Sequence, residues 1–123
     1  MTPQEYITNA LRTQPEGYLF TATGDVTPRI EHAVYGIVSE AGECMDALKK
    51  SKMHGRALDK VNLMEEAGDI MWYLALLADE LGVSFEQIWE KNIAKLSLRY
   101  PEKFSDELSK NRDVIAERAI LEQ

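Results

Sequence analysis

The sequence predicts an all-α fold, a bundle of four to five helices. Three observations carry that expectation. Apolar residues recur with a period near 3.6 through about residues 28–50 and 59–81. No stretch alternates apolar and polar residues for long enough to read as a strand. Helix-start signals recur along the chain, as Thr2-Pro3, Thr27-Pro28 and Ser84 with Gln87.

Thr2 is placed as an N-cap, Pro3 takes the first helical position, and Glu5 closes a capping box, so a first helix runs to about Arg12. Residues 14–28, QPEGYLFTATGDVTP, mix Gly, Pro, Thr and Asp with Tyr18, Leu19 and Phe20 and show no period. They read as a loop that packs onto the body. Thr27-Pro28 opens a second helix through about Lys50, ahead of the polar SKMHGRALD. A third runs from about Asp59 to Leu81 and stops at Gly82. Ser84 and Gln87 launch a fourth, which ends before Pro101 because the residue ahead of a proline avoids the helical region. The tail, SDELSKNRDVIAERAILEQ, is polar with scattered Val, Ile and Leu, enough for a fifth helix given a partner. At 123 residues the expectation is a single domain over 1–123, with its core at about 28–100 and a tail at 101–123.

Twenty-one Asp and Glu against fourteen Lys and Arg leave a formal charge of −7, with no basic stripe to neutralise a phosphate backbone. Polymeric DNA or RNA is therefore not an expected partner. The longest apolar-rich stretch, IMWYLALLADELG, is broken by Asp79 and Glu80 and falls short of a membrane span. No basic segment followed by an apolar one begins the chain, so a soluble, cytoplasmic protein without a membrane partner is expected. Cys44 is the single cysteine, which excludes an internal disulfide and a Cys-x-x-Cys site.

The chemistry concentrates in an echo: SEAGECMDALKK at 39–50 and EEAGDIMWYLAL at 65–76 each place two acids three residues apart around Ala-Gly. At 100° per residue, Ile30, Ala33, Val34, Ile37, Ala41, Cys44 and Leu48 form one apolar stripe of the second helix, the expected core face. His32, Gly36, Glu40, Glu43, Ala47 and Lys50 lie on its flank. In the third helix Leu63, Ala67, Ile70, Leu74, Leu77 and Leu81 make the stripe, and Asn62, Glu66, Asp69, Tyr73 and Glu80 the flank. Any one of these acids reads equally as a solvated surface group. Four together, on neighbouring helices, crowd their charges unless a cation sits among them. Oxygen-only ligands select a hard ion such as Mg²⁺, with Mn²⁺ a possible substitute. A di-iron bundle would use Glu-x-x-His, and neither His32 nor His54 follows a Glu at that spacing. Gly42 and Gly68 each cost a helix about 1 kcal/mol relative to Ala. Close approach of a helix or ligand is the expected compensation. Met71, Leu76 and Trp72 fall outside the main stripe, so a dimer or tetramer is expected to cover them. Trp72 in particular is expected to meet another subunit or the tail.

Glu40-x-x-Glu43, twenty-two residues, then Glu66-x-x-Asp69, followed by KNIAKLSLRYP, resembles the all-α nucleoside triphosphate pyrophosphohydrolases of the MazG type. The likeness runs from about Ile30 over three quarters of the chain and is to the short MazG-like proteins of bacteria and phages. It implies Mg²⁺-dependent cleavage of a (d)NTP between the α and β phosphates, by dimers or tetramers. Residue by residue it implies Glu40, Glu43, Glu66 and Asp69 as metal ligands and Asn92 and Lys95 as substrate contacts, with Tyr100 nearby. Arg99 shares the face of Asn92 and Lys95, and Lys50 offers a phosphate contact from the acids' side. His32 either stacks on a base or packs at the core edge. Many relatives carry an acid, able to act as general base, where this chain has Ser39. That leaves the base to Glu65 or to a ligand carboxylate such as Glu40 or Glu43. The Ser39 departure also keeps open an alternative from another class, a catalytically inactive helical module that binds nucleotide or protein.

Overall fold

The computed structural model describes residues 1–123 as six helices: α1 (Pro3–Leu11), α2 (Pro28–His54), α3 (Lys60–Leu81), α4 (Phe85–Arg99), α5 (Asp106–Lys110) and α6 (Val114–Glu122). There is no strand, only an isolated bridge between Thr23 and Val26 in the first loop. The all-helical expectation is met, and no helix is long and apolar enough to cross a membrane. The helices fall into two compact units, Met1–Val83 and Ser84–Gln123.

In the first unit the caps form as read. Thr2 Oγ1 accepts from the Glu5 N–H at 3.1 Å while the Glu5 carboxylate accepts from the Thr2 N–H at 2.6 Å. Thr27 Oγ1 likewise accepts from the Ile30 N–H. Helix α2 continues four residues beyond the expected Lys50. Ser51, Lys52, Met53 and His54 are polar or flexible but do not break a helix, and termination waits for Gly55, whose φ of 66° gives the left-handed cap. The Gly55 N–H then returns to the Lys50 carbonyl. Five residues connect α2 to α3, so the two lie antiparallel. The pairing follows: Arg29 meets Asp79 and Glu80 at 2.6 Å each, Gly36 lies beneath Tyr73, and Glu40 faces Glu66 and Asp69.

The faces that meet differ from the expected stripes. Ala33, Gly36 and Ala47 of α2 are buried, with Glu66, Ala75, Leu76 and Ala78 of α3 and Ile7 and Ala10 of α1. Val34 and Leu48, assigned to the core by periodicity, are 44% and 50% exposed, and Leu81 is 57% exposed. Leu76, expected outside the stripe, is completely buried. Small residues explain the rotation. Ala and Gly let two helix backbones approach closely enough for a Tyr73 ring to lie on Gly36, which bulkier stripe residues would prevent. Trp72 is corrected too: it turns to the end of α1, donating its indole N–H to the Ala10 carbonyl at 2.9 Å and Thr13 Oγ1 at 2.8 Å.

Gly42 and Gly68 have nothing within 4 Å of where a Cβ would stand, so the expected close approach does not occur within this chain. Gly42→Ala and Gly68→Ala are therefore expected to stabilise the fold by roughly 0.5–1 kcal/mol each through helix propensity. Urea unfolding measures this; a loss of stability at either position would reveal a contact supplied from outside the chain.

In the second unit the tail forms two helices rather than one, because Ser105 caps α5, Asp113 caps α6, and Asn111 between them leaves the helical region. Phe85 is buried and stacks on Trp89. Glu117 is 3% exposed and is held by two guanidinium groups, Arg99 at 2.7 Å and Arg112 at 2.6 Å. The hydrogen bonds from Arg99, then Arg112, pull its carboxyl down to about 2. Lowered in the fold from an ordinary 4.5, this group stabilises the folded state above pH 4.5, and that contribution fades as pH falls toward 2. Circular dichroism melts between pH 5 and 2 are expected to show a decline that Glu117→Gln flattens, from a lower starting Tm. An unchanged pH dependence in the variant would contradict this.

Candidate metal centre and active site

Three of the four acids converge. Ligand oxygens of Glu40 on α2 and of Glu66 and Asp69 on α3 all lie within 4.8 Å of one another. The i, i+3 spacing sets Glu66 and Asp69 on one face of α3, and the antiparallel pairing brings Glu40 opposite them. Glu66 is buried, 8% exposed, and its carboxylate accepts from the Asn62 side-chain amide at 2.8 Å one turn earlier. That bond fixes one oxygen and leaves the other for a ligand. Burial first, then a hydrogen bond shared with Glu66, then the charges of Asp69, Glu66 and Glu43, raise the Glu40 carboxyl above its ordinary value. Three crowded carboxylates with no cation partner among them, one of them Glu40 with its raised pKa, fit a divalent ion. Opposite ligands of a six-coordinate Mg²⁺ lie about 4.2 Å apart, so small side-chain rotations bring these oxygens into its reach.

Glu43 is not among the three. One turn beyond Glu40, it is exposed and opens onto a cleft of about 570 Å³ with Asp46, Lys50, Arg56, Asp59, Asn62 and Glu65 along its walls. Lys50 is bonded there to Asp46 at 2.7 Å, which raises its ammonium pKa. Glu65 faces the same cleft, and neither it nor Glu43 makes a hydrogen bond or ion pair. A second, smaller recess of about 290 Å³ is lined by Glu40, Asp69, Thr13, Trp72 and Tyr73. His32 stands behind it, its ring edge-on to Trp72 and Tyr73 at 5.8 and 5.4 Å, with Nδ1 hydrogen-bonded to the Tyr18 hydroxyl at 2.9 Å. His32 is thus built into a half-buried aromatic cluster, while Trp72 and Tyr73 present the walls of the recess.

The remaining candidates belong to the second unit. Asn92 is exposed and Lys95 half-buried on α4. Arg99 is committed to Glu117, which raises its pKa, and its guanidinium lies 5.6 Å from the Tyr100 ring centre. Tyr100 caps α4 and meets Phe104.

Sequence reasoning did not assign Asn62, Trp72, Tyr73 or Thr13 to the site. Asn62 and Tyr73 carried a usable signal, since each is four residues from an acid and therefore on its face. Trp72 and Thr13 carried none, because their placement depends on how α1 packs.

The MazG nucleotide pyrophosphohydrolase domain family matches residues 29–104. The Gene 37 protein of Mycobacterium phage L5 is 32% identical over 74 residues, 57% of this chain and 65% of that protein. The uncharacterised protein YvdC of Bacillus subtilis (strain 168) is 34% identical over 73 residues, 52% of this chain and 69% of that protein. The chain thus spans just under two thirds of the phage relative's length and slightly more of the Bacillus one. No solved structure gives a significant match. The match of the family over more than half the chain, centred on the helices that carry Glu40, Glu66 and Asp69, identifies the chain as a member of the MazG nucleotide pyrophosphohydrolase domain family.

Proposed function

We propose that the protein is a metal-dependent nucleoside triphosphate pyrophosphohydrolase, cleaving a (d)NTP between the α and β phosphates to the monophosphate and pyrophosphate. The observation that carries the reading is the convergence of the Glu40, Glu66 and Asp69 oxygens. A triphosphate carries about four negative charges and meets repulsion from these acids unless cations lie between them. Glu40, Glu66 and Asp69 would hold Mg²⁺, or Mn²⁺ in its place, with Glu43 at the edge of the same site. A bound divalent ion polarises the phosphoryl group and lowers the pKa of a water. The chain's own residues do the rest. Asn62 orients Glu66, Trp72 and Tyr73 wall the recess beside Asp69, and Glu43 or Glu65, unpaired in the adjoining cleft, accepts the proton of the attacking water in place of the acid that Ser39 replaces. Asn92, Lys95, Arg99 and Tyr100 are further substrate contacts on this reading, as are Lys50 and, through the aromatic cluster, His32.

A second copy of the chain belongs to the same reading, making a dimer or tetramer, because Val38, Met45, Val61 and Met64 are 67–71% exposed on the two long helices. Light scattering at micromolar concentration should report more than a monomer.

The test is pyrophosphate release from a panel of NTPs and dNTPs with Mg²⁺, with Mn²⁺ and with chelator. Metal-dependent release from one or a few supports the hydrolase and names its substrate. Silence across the panel from a folded protein transfers the reading to an inactive nucleotide- or protein-binding module, which the serine at position 39 would suit.

A further inference from the structure

Arg56 is a cation of the first unit that lines the cleft beside the acids and makes no ion pair there. It follows the left-handed Gly55 that ends α2, and its backbone N–H reaches the Lys50 carbonyl at 3.4 Å, so the turn fixes its position rather than leaving it on a free loop. It lines the 570 Å³ cleft together with Glu43, Asp46, Asp59 and Glu65, four carboxylates, yet makes an ion pair with none of them. Two of those acids are occupied: Asp46 with Lys50, and Asp59 as the N-cap of α3, accepting from the Asn62 N–H at 2.9 Å. Lys50 is close enough to Arg56 for the two cations to repel, an arrangement that an anion between them would relieve.

The cleft also has a direction. Glu40 and Asp69 border the aromatic recess of Trp72 and Tyr73, while Glu43 and Asn62, the partner of Glu66, border the cleft of Lys50 and Arg56. The carboxylate cluster therefore has an aromatic wall on one side and, on the other, a cleft in which Lys50 and Arg56 stand among Glu43, Asp46, Asp59 and Glu65. Lys side chains on a helix lean toward its N-terminus, so Lys50 inclines back along α2 toward Glu43. A guanidinium presents paired donors to phosphate oxygens.

We propose that Arg56, with Lys50, binds the departing pyrophosphate end of the substrate, so that the triphosphate lies along α2 with its nucleoside toward Trp72 and Tyr73. This inference rests on the hydrolase reading above and adds to it a binding residue and a polarity. The competing use for Arg56 is structural, as a cation just beyond the C-terminus of α2, where the helix dipole favours positive charge.

The experiment titrates pyrophosphate in the presence of Mg²⁺ into the full chain by calorimetry, for the wild type, Arg56→Gln and Arg56→Lys, with AMP as the monophosphate probe and thermal melts in parallel. The expected result is about a tenfold weaker pyrophosphate affinity in Arg56→Gln, the scale of one charge-assisted hydrogen bond. Arg56→Lys should recover part of it, with AMP affinity and Tm unchanged. Equal pyrophosphate affinity in wild type and Arg56→Gln overturns the proposal, as does a wild type that does not bind pyrophosphate. A lowered Tm with unchanged affinity would assign Arg56 to the helix end instead. Turnover is measured separately: a wild type that binds pyrophosphate through Arg56 but hydrolyses nothing retains the anion contact and removes only the hydrolase reading.

Discussion

Asp69→Asn is expected to abolish metal-dependent pyrophosphate release, by at least about 10²–10³-fold, the scale of removing one preorganised partner of a developing charge. The same substitution should make the metal-free protein more stable. Glu40 has a raised carboxyl pKa, so the fold binds its proton more tightly than the unfolded chain does, and that stabilisation is lost as pH rises through the raised value. At neutral pH the three carboxylates repel, and Asp69 is one of the charges responsible. Removing its charge relieves the repulsion, so Tm without metal rises. In the wild type a bound divalent ion is expected to provide the same relief and to add binding energy, about 2.7 kcal/mol at a hundred times its Kd. The variant should lose most of that Mg²⁺-induced shift. Melts with Mg²⁺ and with chelator, beside a turnover assay, separate the two effects. Retained turnover in Asp69→Asn, or an undiminished Mg²⁺ shift, would sink the assignment of Asp69 as a ligand.

Gly36→Ala is expected to destabilise the first unit by about 1–2 kcal/mol. A Cβ at this position would fall within the Tyr73 ring, against Cδ1, Cε1 and Cζ. Overpacking of this kind costs about 1–3 kcal/mol, and the better helix propensity of Ala returns at most about 1. The ring cannot yield locally, because it is held edge-on between His32 at 5.4 Å and Trp72 at 5.0 Å. Either α2 and α3 separate or Tyr73 moves from the recess beside Glu40 and Asp69, so activity should fall along with stability. Urea unfolding of Gly36→Ala, Tyr73→Ala and the double variant checks the cause. If the clash is responsible, Gly36→Ala costs little once Tyr73 is already Ala, and the coupling energy lies in the range of about 0.5–3 kcal/mol. Additive losses would place the damage elsewhere.

These two substitutions mark how differently the site and the packing were written into the chain. The acids were legible because their chemistry is local: i, i+3 spacing puts Glu66 and Asp69 on one face whatever the helix packs against, and the repeated Glu-Ala-Gly-acid pattern pairs that face with the Glu40 helix. Caps at Thr2, Thr27, Ser84 and Gly82 were legible for the same reason, since each is a hydrogen bond or a backbone angle set by neighbours a few residues away. Glu43 shows where that locality ends. It shares the spacing of its pair, yet its carboxylate opens onto the neighbouring cleft rather than joining the three.

Periodicity located the helices and misjudged their rotation. It ranks residues by hydrophobicity, and so selected Val34 and Leu48, whereas the contact between α2 and α3 uses Ala33, Gly36 and Ala47. How closely two backbones approach depends on which surfaces compete for each other, and that is decided only when both helices, and α1 behind them, are in place. The same approach sets Tyr73 on Gly36, turns Trp72 to the end of α1, and aims Arg56 into the cleft beside Glu43. The sequence by itself determined where the main helices lie, most of their ends and which acids share a helix face, because those follow from interactions within about one helical turn. Only the tertiary structure decided which faces are buried and what walls surround the acids, because those follow from contacts between residues thirty to sixty positions apart.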